Sequence, residues 1–177
     1  LLIAGIFIAI FAIAYSAGPY PLSYNGWGDV LVIIFFGFVP VGGTYYVQAL
    51  TWTPDVTIAS LICGLLIDTL LVVNNYRDRE ADARSGKRTV IVRFGEKFGR
   101  YFYLMLGVTA SLLCLCFLRE GHFLAALLPQ LYLIPHFLTW KRMVKIYSGK
   151  KLNSILGETS RNMLFMGVLI AIGMLVS

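Results

Sequence analysis

Long apolar stretches alternate with short polar segments along nearly the whole chain. Six apolar stretches stand out, at about residues 1–14, 30–50, 56–75, 100–118, 122–140 and 160–176. A helix that crosses a bilayer needs about 20 mainly apolar residues. The pattern therefore predicts an all-α fold, a polytopic transmembrane helix bundle with five full spans and a shorter first helix.

The first apolar stretch, residues 1–14, is too short for a full span. Leu1 is not a methionine, and neither a basic flank nor a small-residue cleavage site indicates a signal peptide. We therefore expect residues 1–177 to form a single membrane domain that is truncated at its N-terminus, beginning inside a helix. A short re-entrant or interfacial segment is the alternative interpretation of this stretch.

The basic residues predict the orientation of the chain. Of its 15 lysines and arginines, eight lie in residues 77–100 and six in residues 141–161. Two predicted spans separate these groups, so both lie on one side of the membrane, which the positive-inside rule makes cytoplasmic. The net charge of +6 thus reflects orientation in a lipid bilayer, and we expect no nucleic-acid partner.

One acid, Asp68, lies deep within a predicted span. Acids inside a membrane are costly and usually face a bundle interior or a water-filled cavity. Asp68 and Asn75 are seven residues apart, about two helical turns, so they share one face of the helix. This face is a candidate cavity wall. A buried aspartate that hydrogen-bonds to a neighbouring helix for structure alone is the other interpretation.

The segment from Asn74 to Thr89 carries the densest charge, with three acids and five bases. Asp78 and Asp82 project from one face if the helix continues past the membrane, and like charges at that spacing repel. Nearby arginines could compensate this repulsion and leave only a solvated charged face. A Mg²⁺ ion could also compensate it, because Mg²⁺ binds through one or two carboxylates and substrate phosphates.

Further cations follow the two aspartates. Ser85 and Gly86 allow the chain to turn, so that Lys87 and Arg88 would meet the remaining charge of a diphosphate. Arg77 or Arg84 would assist them. The pattern predicts a diphosphate site with a divalent metal, whereas the ligand alternation of an EF-hand calcium loop is absent.

This segment resembles the second aspartate-rich motif of the intramembrane aromatic prenyltransferases of the UbiA type. The pattern of the menaquinone-pathway branch, N-N-x-R-D-x-x-x-D-x-x-x-G-K-R-T, is matched from Asn74 to Thr89. Three other segments are also similar to that family, namely Val92–Gly95, Gly18–Leu22 and Gly43–Tyr46.

The resemblance implies a nine-helix fold around a central cavity, of which this chain would supply helices four to nine. It implies a cytoplasmic catalytic loop at residues 76–99. The family's first motif, of the N-D-x-x-D type, is absent from the chain. We therefore expect this stretch alone to be inactive.

The resemblance also implies an activity. A polyprenyl group would pass from polyprenyl diphosphate to 1,4-dihydroxy-2-naphthoate with decarboxylation, giving demethylmenaquinone, with Mg²⁺ as cofactor, in the inner (cytoplasmic) membrane of a bacterium. The residues implied in catalysis are Asp78, Asp82, Lys87 and Arg88, of which Asp78 and Asp82 would bind the metal. Those implied in substrate binding are Asn75, Tyr76, Arg77 and Asp68.

Three alternatives remain at this point. The same fold could act on another aromatic acceptor of the hydroxybenzoate, homogentisate or chlorophyll type. A non-catalytic membrane protein could use the basic segment to bind anionic lipid, although lipid attraction does not explain Asn75, Asp78 and Asp82. A transporter could use Asp68 as a coupling site, but no inverted repeat is visible in the chain.

Overall fold

The computed structural model describes residues 2–17 and 19–176, and within them no strand occurs. The motif that starts at Gly18 therefore begins outside the described residues. The six long helices are α1 Leu2–Ser16, α2 Gly28–Ala49, α3 Pro54–Arg84, α4 Val90–Glu120, α5 Phe123–Ile146 and α6 Lys150–Val176. Helices α2 to α6 are long and apolar enough to cross a membrane. The predicted all-α, polytopic transmembrane fold is confirmed.

Residues 76–99, which were expected to form a loop, are mostly helical in the structure. Helix α3 continues to Arg84, and α4 begins at Val90 and is kinked at Gly95, whose φ is 86°, so only a short link separates the two helices. Dense charge does not prevent a helix, because arginine, glutamate and alanine are good helix formers. The link is set by Gly86, whose φ of 80° suits glycine, and by Thr89, whose side chain caps the first turn of α4.

Two of the spanning helices are irregular at prolines. Residues Ile33–Gly42 of α2 are π-helical and include Pro40. Residues Leu128–Tyr132 of α5 form a 3-10 turn with Pro129 at its start. Proline has no N–H group to donate, so regular helical hydrogen bonding is interrupted there.

Helix α3 is the centre of the bundle. It packs against α2, α4 and α6, while α5 packs against α4 and α6. The largest fully buried side chains come from these helices and include Ile62, Val72, Tyr76, Tyr103, Phe117, Tyr132, Met143, Ile155 and Met166. Because α3 touches three neighbours, the side chains along it are held from several directions.

Glycines bring α2 and α3 into close contact. A Cβ atom on Gly37 of α2 would lie 2.9 Å from the Cα of Gly64 in α3 and would also meet the carbonyl oxygen of Ser60. Small residues let the backbones of membrane helices approach in this way. The contact fixes the register between the two helices.

Replacing Gly37 with alanine is expected to lower the melting temperature of the detergent-solubilised protein. The added methyl group would overlap the backbone of α3, and overpacking of this kind costs about 1–3 kcal/mol. Gly43→Ala is the matched control on the same helix, because a Cβ there meets nothing within 4 Å. Both changes gain the same helix propensity, so equal melting temperatures would contradict the proposed contact.

Candidate active site

The last turns of α3 carry three polar side chains of the predicted site. Asn75, Asp78 and Asp82 follow one another at spacings of three and four residues within one continuous helix, so they lie along one side of it. Asn75 is buried, and the exposed fraction of the side chain is 38% for Asp78 and 13% for Asp82. The structure thus places the two aspartates side by side at the polar end of α3.

Asp78 is held by Arg77. The guanidinium group donates two hydrogen bonds to the carboxylate, from Nε to Oδ1 at 2.7 Å and from Nη2 to Oδ2 at 2.6 Å. It also donates to the side-chain oxygens of Asn74 at 2.6 Å and of Asn153 at 2.9 Å. Since Asn153 begins the regular part of α6, Arg77 both orients Asp78 and joins two helices.

Asp82 retains one free acceptor. Its Oδ1 atom lies 3.5 Å from the Nζ atom of Lys87. Its Oδ2 atom is buried and has no hydrogen-bond partner among the described residues. Buried polar atoms are nearly always paired, and carboxylate oxygens are preferred ligands of Mg²⁺, so this atom fits a metal ligand.

Within residues 2–17 and 19–176, no three His, Cys, Asp or Glu side chains are grouped as a metal site. A Mg²⁺ ion at Asp78 and Asp82 would therefore complete its ligands with substrate phosphates and water, which is its usual manner of binding.

The link between α3 and α4 is fixed by the polypeptide that precedes α2. The backbone N–H of Arg88 donates to the carbonyl oxygen of Tyr24 at 2.7 Å. Arg93 donates to the carbonyl oxygens of Asn25 at 2.6 Å and of Arg88 at 3.1 Å. As a result Lys87 lies beside Asp82, whereas the side chain of Arg88 is exposed.

Tyr76 lies apart from these aspartates. Its side chain is fully buried, and its hydroxyl group accepts a hydrogen bond from Nε of Arg100 at 2.9 Å. The guanidinium group of Arg79 stacks 4.5 Å from the centre of its ring. In this arrangement Tyr76 has no free surface for a substrate and anchors α3 to α4.

Sequence reasoning missed the charged cluster around this tyrosine. Glu96 lies 3.2 Å from Arg100 and 3.7 Å from Arg79. The ring of Tyr147, just after α5, covers both guanidinium groups at 5.0 and 5.2 Å. A hydrogen bond to Glu96 raises the pKa of the Tyr147 hydroxyl. Only the i, i+4 spacing of Glu96 and Arg100 was visible in the sequence.

Asp68 is fully buried on α3, and neither of its carboxylate oxygens has a hydrogen-bond partner among the described residues. The structure therefore does not support the interpretation that Asp68 hydrogen-bonds to a neighbouring helix.

Two turns along α3, Asn75 borders a small cavity of about 10 Å³. The other residues that line this cavity are Tyr15, Ser23, Gly26, Gly28, Asp29, Lys87 and Thr89.

Residues 1–175 of the chain match the UbiA prenyltransferase family. The chain is 34% identical over 176 residues to the 1,4-dihydroxy-2-naphthoate octaprenyltransferase of Haemophilus influenzae, covering 97% of this chain. It is 41% identical over 114 residues to the enzyme of the same name from Escherichia coli, covering 64% of this chain. It is 31% identical over 173 residues to the UbiA prenyltransferase domain-containing protein 1 of Dictyostelium discoideum, covering 98% of this chain.

The chain spans 56%, 37% and 51% of the lengths of these three relatives, respectively. No solved structure matches it. The match over residues 1–175 and the similarity to the Haemophilus influenzae protein agree with the aspartates and cations assembled at the end of α3. The chain belongs to the UbiA prenyltransferase family.

Proposed function

We propose that the whole protein transfers a polyprenyl group from polyprenyl diphosphate to 1,4-dihydroxy-2-naphthoate, with loss of the carboxylate as CO₂, in menaquinone biosynthesis. The observation that carries this proposal is the free, buried Oδ2 atom of Asp82 beside Lys87 and Asp78. The names of the bacterial relatives support the choice of acceptor.

In this proposal Asp78 and Asp82 would hold Mg²⁺, which would supply positive charge next to the diphosphate. Arg77 keeps the Asp78 carboxylate in a fixed orientation through its two hydrogen bonds. Lys87 and the exposed Arg88 bind the remaining phosphate oxygens. The ammonium group of Lys87 acts as a compact positive charge, and the planar guanidinium group of Arg88 can donate two parallel hydrogen bonds.

The reaction begins when the allylic C–O bond breaks and its electron pair leaves with the diphosphate. Negative charge then develops on the leaving group, and fixed cations that face it lower the barrier. Lys87 is positioned for this role, because its backbone N–H also donates to the carbonyl oxygen of Asp82 at 2.9 Å. The electron-rich ring of the acceptor attacks the allylic carbon.

An apolar cavity beside the polar site suits the isoprenoid tail. It has a volume of about 580 Å³ and lies between α1 and α2. Its lining residues are Ile8, Phe11, Ala12, Tyr15, Leu31, Val32, Phe35 and Phe36. Tyr15 also lines the small polar cavity next to Asn75 and Lys87. A diphosphate at Lys87 would therefore extend its tail past Tyr15 into apolar surroundings.

The same proposal places the site on the cytoplasmic side of a bacterial inner membrane. The end of α3 and the start of α4 carry one basic group, and the end of α5 and the start of α6 carry the other. Arg77 and Asn153 are hydrogen-bonded across these regions, which supports a common side. The positive-inside rule makes that side cytoplasmic.

Asp82→Asn in the whole protein is expected to reduce Mg²⁺-dependent prenyl transfer at least about 100-fold, because a neutral amide would bind Mg²⁺ more weakly and leave the charge on the departing diphosphate less well stabilised. Asp78→Asn should have a similar effect. Transfer would be measured in proteoliposomes with radiolabelled polyprenyl diphosphate. Asp55→Asn, at the opposite end of the same helix, is the control and should be near normal. Normal turnover with Asp82→Asn would refute the metal assignment.

Arg77→Lys is expected to raise the KM for polyprenyl diphosphate about tenfold, since lysine cannot reproduce a forked pair of hydrogen bonds. The loss of the hydrogen bond to Asn153 should also lower the melting temperature. Arg161→Lys, at an exposed position of α6, serves as the matched control for the change of side chain. An unchanged KM in Arg77→Lys would show that the orientation of Asp78 does not matter for binding.

A further inference from the structure

The backbone at Tyr147, directly after α5, is strained. Its φ of 67° and ψ of −53° lie in a region that residues with a side chain rarely adopt. The N–H of Ser148 donates to the carbonyl oxygen of Ile146 at 2.8 Å, so these three residues form a γ-turn of the rare, strained kind. Such strain persists only where surrounding contacts hold it, and residues of this kind cluster at functional sites.

The strained turn holds the ring of Tyr147 against two cations. The guanidinium groups of Arg79 and Arg100 lie 5.0 and 5.2 Å from the centre of the ring. Tyr147 is 45% exposed, so the ring is not simply part of the apolar core. The face of an aromatic ring attracts cations. Because Arg79 belongs to α3 and Arg100 to α4, Tyr147 joins the end of α5 to both helices.

The polypeptide that follows Tyr147 also contacts α3. We call residues 147–153 the α5–α6 turn. At the far end of this turn, the side-chain oxygen of Asn153 accepts a hydrogen bond from Nη1 of Arg77 at 2.9 Å. The α5–α6 turn therefore holds Arg77 at one end and Arg79 at the other, and these are the residues on either side of Asp78.

The two contacts oppose rotation of the helical turn that carries Asp78. Successive residues of an α-helix are about 100° apart, so Arg77 and Arg79 differ by about 200°, with Asp78 between them. A segment that holds both arginines resists rotation in either direction. Since Arg77 also donates two hydrogen bonds to the carboxylate of Asp78, a shift of this part of α3 would change the direction of that carboxylate.

We propose that Tyr147 is a positioning residue for the carboxylate of Asp78. This inference rests on the proposed function, in which Asp78 and Asp82 would hold Mg²⁺. In this role the ring of Tyr147 acts through Arg79 and the backbone of α3, and not on the substrate itself. Mg²⁺ demands near-ideal octahedral geometry, so a small rotation of its ligands weakens the binding of metal and diphosphate together.

The test compares Tyr147→Ala and Tyr147→Phe with the wild type in proteoliposomes that contain the whole protein. Tyr147→Ala should raise the KM for polyprenyl diphosphate and the Mg²⁺ concentration for half-maximal transfer about tenfold, the usual effect of losing a contact that orients a metal ligand. The value of kcat at saturation should stay within about threefold, because the lost energy is mainly binding energy. Mg²⁺-dependent binding of farnesyl diphosphate, measured without any acceptor, should weaken about tenfold as well.

Tyr147→Phe keeps the ring over the two guanidinium groups and should stay within about twofold of the wild type in each quantity. Tyr46→Ala is the matched control, since it removes another half-exposed tyrosine, near the end of α2, and should leave the KM unchanged. A KM and a Mg²⁺ requirement that are normal in Tyr147→Ala would overturn the inference. Equal impairment of Tyr147→Phe and Tyr147→Ala would also overturn it, because the ring would then not be the group that matters.

A third variant separates positioning from stability. Tyr147→Gly relieves the strained backbone, because glycine adopts a positive φ readily, but it also removes the ring. Its melting temperature should equal or exceed that of Tyr147→Ala, while its KM and Mg²⁺ requirement should stay raised. A KM that recovers together with the melting temperature would overturn the inference. If Tyr147→Ala does not fold, Tyr147→Gly decides by the same measurements.

The binding measurement keeps this inference separate from the proposed function. A wild type that binds farnesyl diphosphate with Mg²⁺ but transfers no prenyl group to 1,4-dihydroxy-2-naphthoate would refute the proposed acceptor. The role of Tyr147 would then be decided by the binding of farnesyl diphosphate to the variants. Normal binding in Tyr147→Ala would refute that role, and weaker binding in Tyr147→Ala than in Tyr147→Phe would support it.

Discussion

The structure depends on α3 being one uninterrupted helix from an apolar interior to a charged end. Within a bilayer every backbone polar group must be hydrogen-bonded inside the protein, and a helix of 31 residues satisfies this requirement over a length of about 46 Å. That exceeds the hydrocarbon thickness of about 30 Å, so the helix itself carries Asp78 and Asp82 beyond it. The position of each polar group is then set by helical rotation, and the packing of α2, α4 and α6 holds that rotation fixed.

Charge neutralisation explains how the polar end of α3 is ordered. Arg77 neutralises Asp78, Lys87 lies beside Asp82, and Glu96 lies between two arginines. A buried carboxylate without such partners would be unstable. Against this background the unpaired Oδ2 atom of Asp82 is an exception at this end of α3, and the proposed role as a metal ligand would give it a partner.

Features that depend on local rules were predictable from the sequence. The lengths of the apolar stretches predicted the helices, because lipid leaves few other structures available to the backbone. The true end of α3 was not predicted, because residues 76–99 were expected to form a loop, although the local residues favour a helix as far as Arg84 and Gly86 follows it. Helical geometry also explains Tyr76, which is two residues, or about 200°, from Asp78 and so lies on another side of α3. The motif placed it among the substrate ligands by proximity in the sequence alone.

Contacts between distant segments were not predictable. Tyr147 joins Arg79 and Arg100 only because α5 ends beside α3 and α4. In the sequence, Asp29 shows only as a favourable charge at the start of a helix. Its place on the lining of the small cavity with Asn75 and Lys87 depends on how α2 packs against α3, which no local pattern records.

The carboxylates along α3 therefore differ in chemistry because their neighbours differ. A carboxylate that receives hydrogen bonds from a guanidinium group is a poor proton acceptor but a well-oriented anion, which suits Asp78 as a metal ligand. Asp68 receives no such hydrogen bond among the described residues. Asp68 lies ten residues, or about 15 Å, from Asp78 on the same helix, which keeps it away from the arginines.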